Sequence, residues 1–311
     1  KIGIVISGGD VSGINNFIFQ IARLANADIT IFNGGIPGLL DKNHQEVAWR
    51  DLVDFSIASI PIITSGRTSR RLLRSEYETI AKKIKSLRID VLIMAGGDGS
   101  LQFLNTLSEF DINCFGVGMT IDNDVYGSDY TIGFSTACEQ IIKEVSRLRN
   151  TGRALPGRVF MVEILGGYCG ELTLQSAIKS NADIALIPES QMPLETLAER
   201  VKHKLTQQNS VVILCSEGYT REYSPGFQGA IDTMIKQLEP QIGVRIRKTI
   251  VGYGLRNGDP TCEEIYQGTI MASEVVRCIQ SGMKNKAIII NSSNKPIPID
   301  LVSMKKRLVD T

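Results

Sequence analysis

Two short stretches carry most of the chemistry legible in this sequence. Val91-Leu-Ile-Met-Ala-Gly-Gly-Asp-Gly-Ser100 is an apolar run of one strand's length that stops in glycines before a helix-like segment. A strand ending this way leaves backbone N–H groups pointing outward at the positive end of the next helix, a natural seat for phosphate. Asp98 adds one carboxylate to that loop, where it could hold Mg2+ beside the phosphates. About one β–α unit later, Gly118-Met-Thr-Ile-Asp-Asn-Asp124 sets Thr120, Asp122 and Asp124 at the end of a second apolar run. Carboxylates and a threonine at a strand end beside a phosphate site suit a base that deprotonates a hydroxyl during phosphoryl transfer. Phosphotransfer is the reaction class these residues suggest.

Other residue types narrow the field. The two histidines, His44 and His203, stand in polar surroundings, so a Ser-His-Asp triad or a histidine-rich metal centre is not expected. Acid–base chemistry must rest on carboxylates. Six scattered cysteines form no C-x-x-C pair and read as reduced core thiols. A formal net charge of +1 argues against nucleic-acid or anionic-membrane partners, while a local arginine cluster still suffices for a small anion. No apolar run reaches the roughly 18 residues of a membrane span and the start shows no signal peptide, so a cytoplasmic protein is expected.

The elements that must position these residues alternate. Strands are expected at 2–7, 29–33, 90–95, 114–118, 159–165, 183–187, 211–215, 248–251 and 287–291, with a short extended piece at 61–64. Helices are expected at 14–25, 76–87, 101–110, 134–149, 194–206, 227–238 and from 261 to about 280, and 33–38 reads as a loop. This alternation predicts an α/β fold of two doubly wound, mainly parallel-sheet domains, with helices on both faces. In such sheets ligands bind outside the carboxyl ends of the strands, where nearly every glycine or carboxylate cluster falls. A first glycine loop, Gly8-Gly-Asp-Val-Ser-Gly13, matches no Walker or dinucleotide pattern. Arg67 follows a Ser-Gly loop from which a guanidinium could reach phosphate, whereas Arg70, Arg71 and Arg74 read as a solvated helix face.

Several motifs together resemble the phosphofructokinases over nearly the whole chain. They are Ser7-Gly-Gly-Asp10, Gly96-Gly-Asp-Gly-Ser100, Thr120-Ile-Asp-Asn-Asp124, Asp129-Tyr-Thr-Ile-Gly-Phe134, Cys169-Gly-Glu-Leu172, Pro188-Glu189, Glu217, and Gly252 with Arg256, Gly258 and Pro260. The resemblance implies ATP as phosphoryl donor, its phosphates cradled by Gly9, Arg67, Thr68, Gly97, Gly99 and Ser100, with Asp98 on Mg2+. Asp122 would be the base, supported by Thr120 and Asp124, and Arg67 would stabilise the transferring group. Leu165, Gly166, Gly167, Glu217, Tyr253 and Arg256 would line the pocket for a sugar phosphate, whose phosphate Arg158 and Arg247 would bind across an interface. That sharing implies a homo-oligomer, a dimer or tetramer. The implied division gives 1–134 with 251–297 to the donor and 135–250 with 298–311 to the sugar phosphate, with the active site in the cleft between them.

The chain also departs from that pattern. Met119 stands where glycine accompanies ATP and lysine accompanies pyrophosphate, while Gly99 agrees with ATP. Gly35 takes the place of an aromatic flanking adenine, and Phe103 replaces a nucleotide-pocket glycine, so it either stacks on a base or closes the pocket. Tyr253 replaces a histidine and Gly167 an arginine, which points to a different or larger acceptor than fructose 6-phosphate. Asp54 stands where an effector site has a cation, although Arg23 and Arg149 fit, so the usual nucleotide regulation is not expected. An ATP-dependent sugar-phosphate kinase is the leading expectation, with a pyrophosphate-dependent enzyme or a non-catalytic regulatory member as alternatives.

Overall fold

A computed structural model describes residues 1–41, 43–68, 70–220 and 230–304. They fall into two units, one of Lys1–Thr136 plus the chain from Arg256 onward and one of Ala137–Leu255. The apolar runs become strands that are buried on both faces, as helix-covered parallel sheets require.

The first unit opens with β1 (Ile2–Ser7), α1 (Ile14–Ala25), β2 (Ile29–Phe32), α2 (Gly35–Leu40) and β3 (His44–Val47). After a 3-10 turn at Trp49–Phe55 come α3 (Arg74–Ser86), β4 (Val91–Gly96), α4 (Asp98–Ser108) and β5 (Cys114–Gly118). The long helix α5 (Phe134–Ala154) starts in this unit and leads into the other. The second unit holds β6 (Arg158–Ile164), α6 (Glu171–Ser180), β7 (Ile184–Leu186), α7 (Leu194–Gln207), β8 (Ser210–Ser216), α8 (Ala230–Ile242) and β9 (Ile246–Ile250). The chain returns to the first unit for α9 (Cys262–Gln280), β10 (Lys286–Ile290) and β11 (Pro296–Asp300).

Seven strands form the first sheet in the order β11-β10-β5-β4-β1-β2-β3, and four parallel strands form the second, β7-β8-β6-β9. In the first sheet α2, α3 and α4 share one apolar cluster with the strands, through Ile36, Leu39, Ile80, Ile84, Leu101 and Leu104. Helix α1 packs instead on α9. In the second, α7 and α8 share a cluster with Met161, Ile213 and Cys215.

The expected parallel strands are present, and the differences lie at the edges. Strands β3 and β11 run antiparallel on the two flanks of the first sheet and have no counterpart in the sequence reading. The first is polar and half-exposed, and the second carries Pro296 and Pro298, which only an edge tolerates. Residues 35–40 form a short helix rather than a loop because Pro37 sits in its first turn, where the missing N–H costs nothing. The 61–64 piece joins no sheet. Of the helix expected at 227–238, residues 227–229 lie outside the described residues, as do 305–311 of the expected second domain.

Candidate active site

The strand order of the first sheet creates one special place. From β1 the chain moves to β2 on one side, and from β4 to β5 on the other. Right-handed crossovers therefore send α1 and α4 to opposite faces and leave a crevice where their loops part. Strands β1 and β4 are parallel neighbours in register to their last residues, Ser7 opposite Gly96. The two glycine loops, Gly8-Gly-Asp10 and Gly97-Asp-Gly99, thus leave the sheet side by side at that crevice.

The glycines here answer different demands. Gly8 has φ +118°, a conformation that excludes side chains. A Cβ on Gly9 would collide with the guanidinium of Arg256, whose Nη1 lies 3.4 Å from the Asp10 carbonyl it donates to. Gly97 and Gly99 differ, since neither needs a left-handed backbone and a Cβ on either would meet nothing within 4 Å. Neither strain nor packing explains glycine there. What remains is backbone left bare for a close-approaching ligand at the N-terminus of α4.

Arg67 and Thr68, both exposed, reach this loop pair through glycine–backbone packing. Gly8 N–H donates to the Gly66 carbonyl (3.2 Å), Ser65 Oγ to the Gly8 carbonyl (2.9 Å), and Ser7 bridges Gly66 in parallel. Gly35, at φ +67°, is pressed onto Gly66, whose carbonyl oxygen would sit 2.5 Å from an added Cβ. Sequence reading missed this contact, although the Gly34-Gly35 and Ser65-Gly66 pairs were its visible trace. It also explains why residue 35 carries no aromatic ring.

The carboxylates meet from the neighbouring strand. Gly96 of β4 pairs with Gly118 of β5, and Met119 N–H donates to the Gly96 carbonyl (3.0 Å). Asp98 Oδ1 accepts from Tyr126 N–H (3.3 Å), which ties the first turn of α4 to the loop carrying Asp122 and Asp124. Within that loop Thr120 Oγ1 accepts from Asp122 N–H (3.2 Å), and buried Asn123 turns the chain at φ +52°. Asp98, Thr120, Asp122 and Asp124 therefore share one end of one sheet. Met119 is 2% exposed and Phe103 5%, so both side chains belong to the core. The Phe103 ring stacks on Tyr77 at 5.2 Å and 26°, an inward direction that the two alternatives read from the sequence did not include.

The second unit repeats the scheme. The connections after β6 and β8 run in opposite directions along its sheet. The loops that follow these neighbouring strands are joined by Glu217, whose Oε1 accepts from Gly166 N–H (3.0 Å) and Gly167 N–H (2.7 Å). Leu165 lies in the same turn, Gly167 opens onto free space, and Tyr253, beyond β9, is 84% exposed. Burial, reinforced by the charge of Glu217, pushes the Glu163 carboxyl upward against the pull of Lys248. Arg158 and Arg247 stand elsewhere. Arg158 opens β6 and Arg247 pairs with Phe160, so both mark the amino end of the sheet, on the same face. Six residue steps at about 3.3 Å put Arg158 some 20 Å from Ile164, the end of β6 that leads into the Gly166 turn. Arg256, expected with the acceptor residues, lies in the first unit against Gly9.

This packing gives a direct expectation for Gly35→Ala. The added methyl displaces the Gly66 segment and Arg67 with it, lowering stability by about 1–3 kcal/mol and weakening phosphate-donor binding. Thermal unfolding and donor KM measured on the same variant check both halves.

Comparison with known proteins agrees with the geometry. A family model described as phosphofructokinase matches residues 1–279. An ATP-dependent 6-phosphofructokinase of Spiroplasma citri is 33% identical over 299 residues, covering 93% of this chain and 86% of the relative. A probable ATP-dependent 6-phosphofructokinase of Mycoplasma pneumoniae is also 33% identical, over 304 residues, covering 96% of this chain and 90% of the relative. The structure of phosphofructokinase from Saccharomyces cerevisiae superposes with a TM-score of 0.84 at 25% identity, over 97% of this chain; the chain spans 44% of the yeast one. A pyrophosphate-dependent phosphofructokinase from Nitrosospira multiformis shares the fold, with a TM-score of 0.86 at 17% identity over 98% of this chain and 84% of that one. The chain belongs to the phosphofructokinase family.

Proposed function

We propose that this protein transfers the γ-phosphoryl group of ATP to a hydroxyl of a sugar phosphate. The observation that carries the reading is the bare backbone at Gly97 and Gly99 beside Asp98, on the strand next to the one that delivers Asp122. Backbone N–H groups there and the dipole of α4 face the donor phosphates, and exposed Arg67 adds a positive charge. Asp122 accepts the proton of the attacking hydroxyl, and Thr120, bonded to its N–H, keeps the turn in shape. Such transfer needs alignment and charge neutralisation more than covalent help from the protein.

The residues fit a magnesium ion. Among the described residues no group of three or more His, Cys, Asp or Glu could hold a metal alone. Mg2+ commonly takes one or two carboxylates and completes its shell with phosphates and water, which a single Asp98 satisfies. Bound there, the ion neutralises charge on the donor phosphates. Asp98 is oriented for this by Tyr126 N–H.

The loops of the second unit, with Glu217, Gly166, Gly167 and Tyr253, supply the acceptor contacts in this reading. Arg158 and Arg247 lie toward the other end of that sheet, Arg158 about 20 Å and Arg247, paired with Phe160, about 13 Å along it from Ile164, away from the acceptor held by their own chain. They would instead clamp the phosphate of an acceptor bound to a second copy, which makes the enzyme a homo-oligomer. A pyrophosphate donor is the second reading, favoured by one observation, the burial of Phe103 against Tyr77. No helix among the described residues is long and apolar enough to cross a membrane.

A coupled assay with fructose 6-phosphate and either ATP or pyrophosphate tests the donor, and Asp122→Asn should lower kcat by roughly 10^2–10^4 with either. Turnover of neither donor, or full activity in Asp122→Asn, contradicts the reading. Gly99→Asp should leave the melting temperature unchanged, because its space is open, yet raise donor KM by about tenfold or more through like-charge repulsion. Subunit sharing predicts complementation. Inactive Arg158→Ala and Asp122→Asn proteins, mixed under subunit exchange, should recover about a quarter of wild-type activity for a randomly reassorted two-fold dimer. No recovery argues for sites built within one chain.

A further inference from the structure

A cluster of polar bonds in the first unit lies behind the loop bearing Asp122 and centres on a residue with no assigned role. Glu264, on the first turn of α9, is fully buried. Its Oε1 accepts from Gly133 N–H (2.6 Å) and Tyr130 O–H (2.9 Å), and its Oε2 from Thr136 N–H (3.1 Å) and Thr136 Oγ1 (3.0 Å). Two backbone donors at the start of α5, plus two hydroxyls, are thereby bound to one carboxylate. The chain makes room for it, since a Cβ on Gly13 of the β1 loop would collide with Glu264 Cγ. Burial pushes the Glu264 carboxyl upward, opposed by all four of these donors.

The segment Glu264 grips is the return limb of the loop bearing Asp122. Its last part, residues 131–133, lies beside 118–120 and runs in the same direction, with Ile132 bridging Met119 in parallel. Ile132 N–H donates to the Gly118 carbonyl (3.0 Å) and Thr120 N–H to the Ile132 carbonyl (3.1 Å). Thr131 Oγ1 donates to the Thr120 carbonyl (2.7 Å), and Asn123 Nδ2 to the Asp129 carbonyl (3.1 Å). Thr120 and Asn123 of the outgoing limb are thus bonded to the returning limb, and Glu264 holds that limb at Tyr130 and Gly133. We propose that Glu264 is a positioning residue for the base Asp122, acting through the returning limb of the loop. This inference rests on the assignment of Asp122 given above.

Glutamine is the informative replacement. It keeps the volume, but its amide group must face either Gly133 N–H or Thr136 N–H, a donor against a donor. A merely structural Glu264 would lower stability and activity whatever residue stands at 122. A positioning residue loses its effect once the base is gone, so the two changes are strongly non-additive. The experiment compares wild type, Glu264→Gln, Asp122→Asn and the double variant, with ATP and fructose 6-phosphate as probes. Glu264→Gln should reduce kcat about 30-fold or more with both KM values within roughly threefold, while the same change in the Asp122→Asn background should alter kcat less than about twofold. An equal loss in both backgrounds overturns the inference. Glu264→Asp, which retains the charge, should recover part of the loss and serves if the glutamine variant does not fold.

Amide hydrogen exchange provides a readout independent of turnover. In Glu264→Gln the amides of residues 118–124 should exchange at least about tenfold faster, while those of β6 and β8 keep their wild-type rates. Unchanged exchange at 118–124 overturns the inference even if the wild type transfers no phosphate. Wild-type inactivity with the exchange effect intact would instead count against the reaction assignment alone.

Discussion

The parallel registration of β1 with β4 is the constraint on which the site depends. Because Ser7 lies opposite Gly96 and the chain leaves these strands in opposite directions, two glycine-rich loops and the N-terminus of α4 must emerge together. A slip of one residue would turn every side chain of a strand to the other face of the sheet. Leu92 and Met94 are buried on one face of β4 and Val91 and Ile93 on the other, so the fit of these side chains to two cores ties the register to the active-site geometry. Adding β5 as the next parallel neighbour brings the aspartates to the same edge, since Gly96 pairs with Gly118.

Glycine serves three distinct purposes within this small region. At Gly8 it permits a backbone conformation, and at Gly35 and Gly66 it allows two loops to touch backbone to backbone. At Gly97 and Gly99 the protein itself demands nothing, and that is the informative case. Composition cannot separate these roles, because all appear as Gly-rich turns; only the neighbours of each missing Cβ do so. Likewise Arg256 and Glu264 explain Gly9 and Gly13 as clearances for side chains from distant parts of the chain.

Much of this was legible in the sequence for a physical reason. Parallel strands buried on both faces must be apolar throughout, so 2–7, 90–95, 114–118 and 211–215 announced themselves, and glycines and aspartates at their ends marked the binding edge. The edge strands did not, because β3 and β11 need only one partner and carry polar residues or proline. Phe103 and Met119 were read as departures within a nucleotide loop, yet their side chains turn into the core, a direction that spacing alone does not give. Glu264 escaped notice because glutamates early in a helix, here Glu263 and Glu264, ordinarily read as favourable surface charges. The three residues that bond to the Glu264 carboxylate lie more than 120 residues away in the chain.

The central claim is that bare backbone at the start of α4 receives the donor phosphates in front of Asp122. A crystal structure with a non-hydrolysable ATP analogue and Mg2+ tests it most directly. The account predicts donor phosphate oxygens within about 3 Å of the amide nitrogens of residues 97–100, on the side facing Asp122. Phosphates bound at another surface, with this loop untouched, would contradict it.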